Sequence, residues 1–238
     1  MKRWIGLALL LAACGDNEKD DLFFTFDDRQ VLCGSTIDDF REPVDWDKLA
    51  TRLSWAREWN WSYQAYAHIP GTTVSRETLE RAFTMFDDAG LAYTPYRDLD
   101  PTAEPYPSIT FAFDDQSVDE WFDLRDFFAE HHALVTFFVT RYYEFTPEQR
   151  QKLHILADDG HDIEAHTVDH LNATEFAAAN GVDAWLQTEV VPSFQILRDD
   201  GFAPESFAYP FGAHTPELDE AMKPIAKYIR TTPGECPH

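Results

Sequence analysis

Phe111-Ala112-Phe113-Asp114-Asp115 and His161-Asp162-Ile163-Glu164-Ala165-His166-Thr167-Val168-Asp169-His170 are the two runs on which the reading of this chain turns. The first predicts a buried strand that ends on two adjacent carboxylates. The second predicts a strand running into two imidazoles four residues apart, which on a helical turn would share one face. A carboxylate delivered by a neighbouring strand completes a three-ligand set with an open position, as a hydrolytic metal requires. The remaining carboxylate is then free to move a proton.

Outward from these runs, short apolar stretches alternate with amphipathic ones. Strands are expected at 31–37, 62–68, 92–96, 109–113, 134–140, 162–165, 206–209 and 228–230, and helices at 46–59, 76–89, 118–131, 147–159, 182–200 and 216–227. Ser75 ahead of Glu77 and Thr78 opens one helix, and Gly90, Gly160 and Gly201 close others. Such alternation predicts an α/β fold, closed as a distorted β/α barrel. With 238 residues, 44% of them hydrophobic, the chain supplies one sizeable core and a single domain. Forty-three acidic against nineteen basic residues give a formal charge of −24, and no local basic patch offsets it. Nucleic acid and anionic membrane surfaces are therefore not expected partners, and the acidity serves solubility.

Lys2 and Arg3 precede an apolar stretch, 4–13, that is about half of what a bilayer span needs and fits a signal h-region. Leu11-Ala12-Ala13-Cys14-Gly15 resembles the bacterial lipoprotein box, in which cleavage leaves Cys14 as the lipid-modified N-terminus; the alternative is an ordinary signal peptide with an incidental cysteine. The expected division is a signal at 1–13, an acidic tether at 14–30 and one domain at 31–238. Loss of Lys2 and Arg3 would carry the charge from −24 to −26. The resemblance implies a lipid-anchored protein of the bacterial cell envelope, not the cytoplasm, touching membrane through the anchor only. Cys33 and Cys236 are then left over in a disulfide-permissive compartment and form a candidate bridge.

The motifs resemble those of the polysaccharide deacetylases of carbohydrate esterase family four. Ala112-Phe113-Asp114-Asp115 stands for the first motif, T-F-D-D, and His166-Thr167-Val168-Asp169-His170 for the second, H-[ST]-x-x-H. Thr136-Phe137-Phe138-Val139 matches the family's T-F-F-V strand. Ala208-Tyr209-Pro210-Phe211-Gly212 corresponds to the third motif, R-x-P-Y. These matches span residues 108–232. The resemblance implies a metal held by Asp115, His166 and His170, with zinc the first guess and any divalent transition ion the broader one. It implies Asp114 as the base, the backbone N–H of Phe211 as an oxyanion donor with Tyr209 beside it, and His68 as the acid that protonates the leaving amine. The implied substrate is an N-acetylated envelope or extracellular polysaccharide, with O-acetyl groups left open. A related C–N amide hydrolase and a non-catalytic glycan- or protein-binding descendant are the alternatives.

The family's closing unit is a strand with a histidine, a helix and a second strand. It looks here as if placed first, in Tyr66-Ala67-His68-Ile69-Pro70, the helix at 76–89 and Gly90-Leu91-Ala92-Tyr93. A circular permutation is therefore expected, with 31–99 closing the barrel that the C-terminal segment leaves open; a separate N-terminal appendage is the alternative. Two departures stand out. The third-motif arginine, which in the family orients the base, is Ala208, and the usual flanking Thr and Gly of the first motif are Ala112 and Gln116. Asp45-Trp46 reads either as the fourth motif, shaping the pocket, or as a helix N-cap followed by a core residue. Phe24-Thr25-Phe26-Asp27-Asp28 copies the first motif without its following helix and strand, and reads as a decoy. His131 and His132 are expected to be solvated at a helix end, His161 to be structural, and His214 to be a loop residue or a substrate contact. Trp55, Trp59 and Trp61 read as core residues or sugar platforms.

Overall fold

The computed structural model describes residues 22–232; the signal 1–13, Cys14 and Cys236 lie outside the described residues. In chain order the elements are β1 (Phe23–Phe24), β2 (Val31–Cys33), β3 (Ser35–Thr36), α1 (Trp46–Trp59), β4 (Ser62–Ala67), α2 (Arg76–Asp88), β5 (Ala92–Tyr93) and β6 (Ser108–Asp115). There follow α3 (Val118–Phe122), α4 (Arg125–Glu130), β7 (Thr136–Val139), α5 (Pro147–Asp158), β8 (Asp162–Ala165), α6 (Ala173–Asn180), α7 (Val182–Trp185), α8 (Val191–Asp199), β9 (Phe207–Ala208), α9 (Pro216–Met222) and β10 (Ile229–Thr231).

Strands β4, β6, β7, β8, β9, β10 and β2 lie side by side in that order, each parallel to the next. One residue past β2, after Gly34, β3 pairs in parallel with β4, so the sheet comes round into a nearly closed barrel. The period of two along each strand sorts the side chains. Ile109, Phe111 and Phe113 of β6, Phe137 and Val139 of β7, and Ile163 and Ala165 of β8 join the apolar layer beneath the helices. Their alternates, Ala112 and Phe138, share a smaller cluster inside the barrel with Leu32, Tyr66, Ala208 and Tyr228. A parallel barrel buries both faces of its strands, which is why these segments read as continuous apolar runs.

The N-terminal strands sit between β10 and β6, so the edge of β10 is covered by the start of the chain. Four expectations need correction. The tether expected to run to residue 30 ends earlier: Leu22, Phe23 and Phe24 are buried, and β1 pairs antiparallel with the start of β4. Its apolar side chains gain more from the core than a solvated linker would give. The helix expected at 118–131 is two helices, interrupted at Asp123 and Leu124, an arrangement that buries Trp121, Leu124, Phe127 and Phe128. The segment expected as one helix at 182–200 contains a π turn, Leu186–Val190, ahead of Pro192. α6 was not expected, although Asn172 caps it by accepting from Thr174 N and Glu175 N. Among the described residues no helix is long and apolar enough to cross a membrane.

Candidate active site

Because the barrel strands are parallel, their C-terminal ends share one rim, and a cleft of about 640 Å³ opens there. Asp114, Asp115, His166, His170 and His68 all line it. Asp114 is the last inward-facing residue of β6 and is buried. Asp115 follows with φ 87°, and this left-handed step ends the strand. His166 begins the loop after β8, its N–H donating to Val139 O at 3.0 Å.

The second motif is not the helical turn expected. Thr167 and His170 take positive φ, 66° and 59°, and His170 N donates to Thr167 Oγ1 at 3.0 Å. This irregular turn still brings the two imidazoles together, 4.9 Å between ring centroids. Asp115, Thr167, His170 and Phe211 account for four of the eight non-glycine residues with positive φ among the described residues. Backbone strain of about 1–3 kcal/mol per residue is thus concentrated at one rim, a distribution typical of functional sites.

The chemistry of the donor set fits a cation. His166 Nδ1 lies 2.7 Å from Ala208 O, which can only accept, so Nδ1 carries the proton and Nε2 presents a lone pair. That Nε2 is 3.6 Å from Asp115 Oδ1, and His170 Nε2 is 3.1 Å from the same oxygen. The three ligating atoms lie within 4.8 Å of one another. Burial lowers the pKa of His166, keeping it neutral. Burial alone would raise the Asp115 carboxyl, but the two imidazoles reverse this and hold it well below the usual carboxylate range. A carboxylate facing at least one proton-free imidazole nitrogen is a poor hydrogen-bonding arrangement and a good metal site.

Asp114 meets a partner that the sequence reading missed. Arg230 Nη2 donates to Asp114 Oδ2, and the two side chains are 1% and 3% exposed. Burial opposes the guanidinium charge; Asp114 more than restores it, so the Arg230 pKa lies above its ordinary value. An arginine directly after Tyr228 and Ile229 in a strand expected to be buried was the available signal.

His68 follows β4 and reaches the cleft, as expected of an acid. Its Nδ1 pairs with Asp38 Oδ2, its N–H donates to Asp38 Oδ1 at 3.1 Å, and Thr73 Oγ1 donates to Asp38 Oδ1 at 2.8 Å. Trp121 Nε1 holds the same turn by donating to His68 O at 3.1 Å. Burial would lower the His68 pKa, but the hydrogen bond to Asp38 and the charges of Asp114 and Asp115 push it up to about 9. Asp38 is thus the acidic partner of His68, and Asp45-Trp46, read as either a pocket-shaping motif or a helix N-cap, takes the second of those roles. Asp45 is instead the N-cap of α1, accepting from Lys48 N at 3.0 Å, and Trp46 packs partly buried against the core with Arg81 over its ring, outside the cleft. Phe211 stands at the rim, 64% exposed, with φ 60°, its ring against His170. Tyr209 lines the cleft but is almost wholly buried, stacked on Trp185.

The other singled-out residues fall elsewhere. His161 is structural: its Nδ1 accepts from Val135 N at 3.2 Å, and burial lowers its pKa to about 4. His131 is not solvated; its side chain is 9% exposed and pairs with Asp87 at 2.5 Å, while His132 is exposed. His214 is buried against Asp219 at 2.8 Å. Trp55, Trp59 and Trp61 cluster around Phe23 and one another, on the core side. In the decoy, Asp27 accepts from Thr25 and Arg29 next to β1, away from the cleft.

The family model described as polysaccharide deacetylase matches residues 102–227. No curated protein matches the chain in sequence. Several solved structures share the fold. The Streptococcus pyogenes deacetylase PplD, in complex with acetate, aligns with a TM-score of 0.52 at 17% identity, covering 68% of this chain and 79% of that one. IcaB from Ammonifex degensii aligns with a TM-score of 0.51 at 16% identity, covering 87% and 85%. A de-N-acetylase from Aggregatibacter actinomycetemcomitans aligns with a TM-score of 0.54 at 11% identity, covering 70% and 94%.

Proposed function

The chain belongs to the polysaccharide deacetylase family, and we propose that within it this protein is a metal-dependent hydrolase removing N-acetyl groups from an envelope or extracellular polysaccharide. The observation that carries this reading is the convergence of Asp114, Asp115, His166, His170 and His68 in one cleft. When held by Asp115, His166 and His170, a divalent cation, zinc by first choice, would supply a water of lowered pKa and an electrophile for the acyl carbonyl. Asp114 takes the proton of the attacking water as the new C–O bond forms. The main-chain N–H of Phe211 stabilises the charge that develops on the carbonyl oxygen. His68 gives a proton to the departing nitrogen as the C–N bond breaks, leaving acetate and a free amine. Asp38 holds His68 by Nδ1, so Nε2 is the nitrogen available to substrate.

The placement of β2 against β10 and β3 against β4 supports a circular permutation in which the N-terminal units close the barrel. An exported, lipid-anchored location rests on the signal and lipoprotein-box pattern around Cys14. The test of function is acetate release by zinc-loaded protein on a panel of N-acetylated and O-acetylated glycans, before and after chelation. The proposal expects acetate from an N-acetylated member, lost on chelation and regained on adding zinc back. Release from no member, or release untouched by chelation in protein shown to be metal-free, overturns it. A His166→Ala, His170→Ala double variant that keeps full metal stoichiometry after dialysis would falsify the ligand set.

A further inference from the structure

We propose that Arg230 is the base-positioning residue of this site, reaching Asp114 from β10 where the motif position on β9 holds Ala208. The inference rests on the reading of Asp114 as the base. Three independent features of the fold carry it.

The first is register. Arg230 and Ala208 are direct partners across the β9–β10 pair, and both belong to the inward-facing set of their strands. A side chain on β10 at this level therefore enters the barrel beside the place that a side chain on β9 would occupy. The second is space. Tyr66 and Phe138 wall the guanidinium, whose carbon lies 4.3 Å and 5.5 Å from their ring centroids. At Gly34, on the other flank of β10, a Cβ would come 2.9 Å from Arg230 Cδ and 3.2 Å from Tyr66 Cδ1. The small residues at 34 and 208 leave room for a stem that a larger side chain at 34 would displace. The third is isolation. Arg230 and Asp114 are each almost wholly buried, and Nη2 to Oδ2 is the ion pair between them. A guanidinium without a carboxylate would be expensive at this depth, and a carboxylate without it equally so.

The planar, always charged guanidinium is suited to this task, because it fixes one carboxylate oxygen while the other is left for the substrate side. Asp114 Oδ1 has no hydrogen-bond partner among the described residues. That is the oxygen available to take a proton from water. Ala208, which by itself reads as decay of the catalytic apparatus, is thereby compensated by an arginine on the neighbouring strand.

The experiment compares Arg230→Ala, Arg230→Lys and the double variant Ala208→Arg, Arg230→Ala with wild type and Asp114→Asn. Activity is read as acetate release from an N-acetylglucosamine oligomer and from 4-nitrophenyl acetate, and metal content is measured on every sample. Arg230→Ala is expected to lose about 10–100-fold in kcat, the scale usual for groups that orient an active-site ligand, with KM and metal stoichiometry unchanged. Added guanidinium at millimolar concentration, or the arginine moved to position 208, is expected to recover at least about a tenfold share of that loss. If Arg230→Ala proves too unstable to assay, the relocated double variant and Arg230→Lys carry the comparison, since both retain a buried cation. Arg230→Ala with kcat within about twofold of wild type, or a loss that neither guanidinium nor the relocated arginine relieves, overturns the proposal. Wild-type protein inactive on both substrates would count against the function proposed above. Crystal structures of wild type and Arg230→Ala then decide the positioning role separately: it requires the Asp114 carboxylate to leave its wild-type orientation, and an unmoved carboxylate refutes it.

Discussion

Asp114 and Asp115 are neighbours in sequence with opposite surroundings, and the difference comes from one peptide step. Asp114 is the last inward residue of β6 and meets a guanidinium; Asp115, at φ 87°, turns out of the strand and meets two imidazoles. Chemically identical side chains thus sit in environments suited, on the proposed mechanism, to a proton acceptor and to a metal ligand. Asp114→Asn should retain bound metal and lose about 10²–10⁴-fold in kcat, the usual contribution of a general base; metal analysis alongside steady-state kinetics checks both parts, and wild-type turnover would remove Asp114 from that role. The residue pattern T-F-D-D and H-[ST]-x-x-H was sufficient to pick out this pair and the histidines. Arg230 and Asp38 escaped notice because neither lies in a local motif: each is chemically ordinary until a side chain 116 residues away on a non-adjacent strand of the barrel, or a turn 30 residues away, supplies its partner.

At the level of elements, the third-motif turn is built by an unfavourable backbone. Phe211 and Gly212 both take positive φ, and a Cβ on Gly212 would come 2.1 Å from Thr232 Oγ1. Gly212→Ala should therefore cost about 2–4 kcal/mol, combining a left-handed alanine with overpacking, and should lower kcat more than it raises KM. Denaturant melts and kinetics on the same preparation check this; a neutral substitution would mean the turn is free to move. β8 carries a second testable feature at its start. His161 accepts a hydrogen bond from Val135 N, and its pKa is lowered to about 4 by burial. The unfolded chain takes up a proton at this residue below about pH 6.5, and the folded chain only near pH 4. Stability from this residue is therefore complete above pH 6.5 and falls as pH drops toward 4, by up to about 3 kcal/mol. His161→Gln keeps an acceptor and removes the titration, so its stability should decline less over that interval; parallel acid-side melts would expose an error in this assignment. Helix and strand positions were well predicted by periodicity, whereas the break in the α3–α4 segment and the turn at 166–170 were not, since both depend on what packs beneath them.

For the whole molecule, closure of the barrel depends on the first strands meeting the last. β2 pairs with β10 in a register that sets Cys33 beside Thr231, and Cys33 is buried. Cys236 follows Thr231 by five residues in the sequence, outside the described residues. A Cys33–Cys236 bridge would close a loop of more than two hundred residues, worth on the order of 5 kcal/mol in the chain-entropy limit. Protein from an oxidising compartment should then yield a Cys33–Cys236 peptide on non-reducing mapping and lose thermal stability on reduction; two free thiols in such protein would exclude the bridge.

The sequence by itself determined the α/β alternation and five residues of the cleft: Asp114, Asp115, His166 and His170 through its motifs, and His68 through the resemblance to the family's closing unit. The alternation follows from local periodicity, and the four motif residues from chemistry that demands particular residue types at fixed spacing. Tertiary structure alone decided that Asp38 supports His68, that Trp46 stays outside the cleft, and that Arg230 stands against Asp114 where Ala208 leaves a place. Each of these is a contact between segments distant in the chain, fixed by strand order and register around the barrel, and a one-residue shift in that register would turn Arg230 from the barrel interior to the helix side.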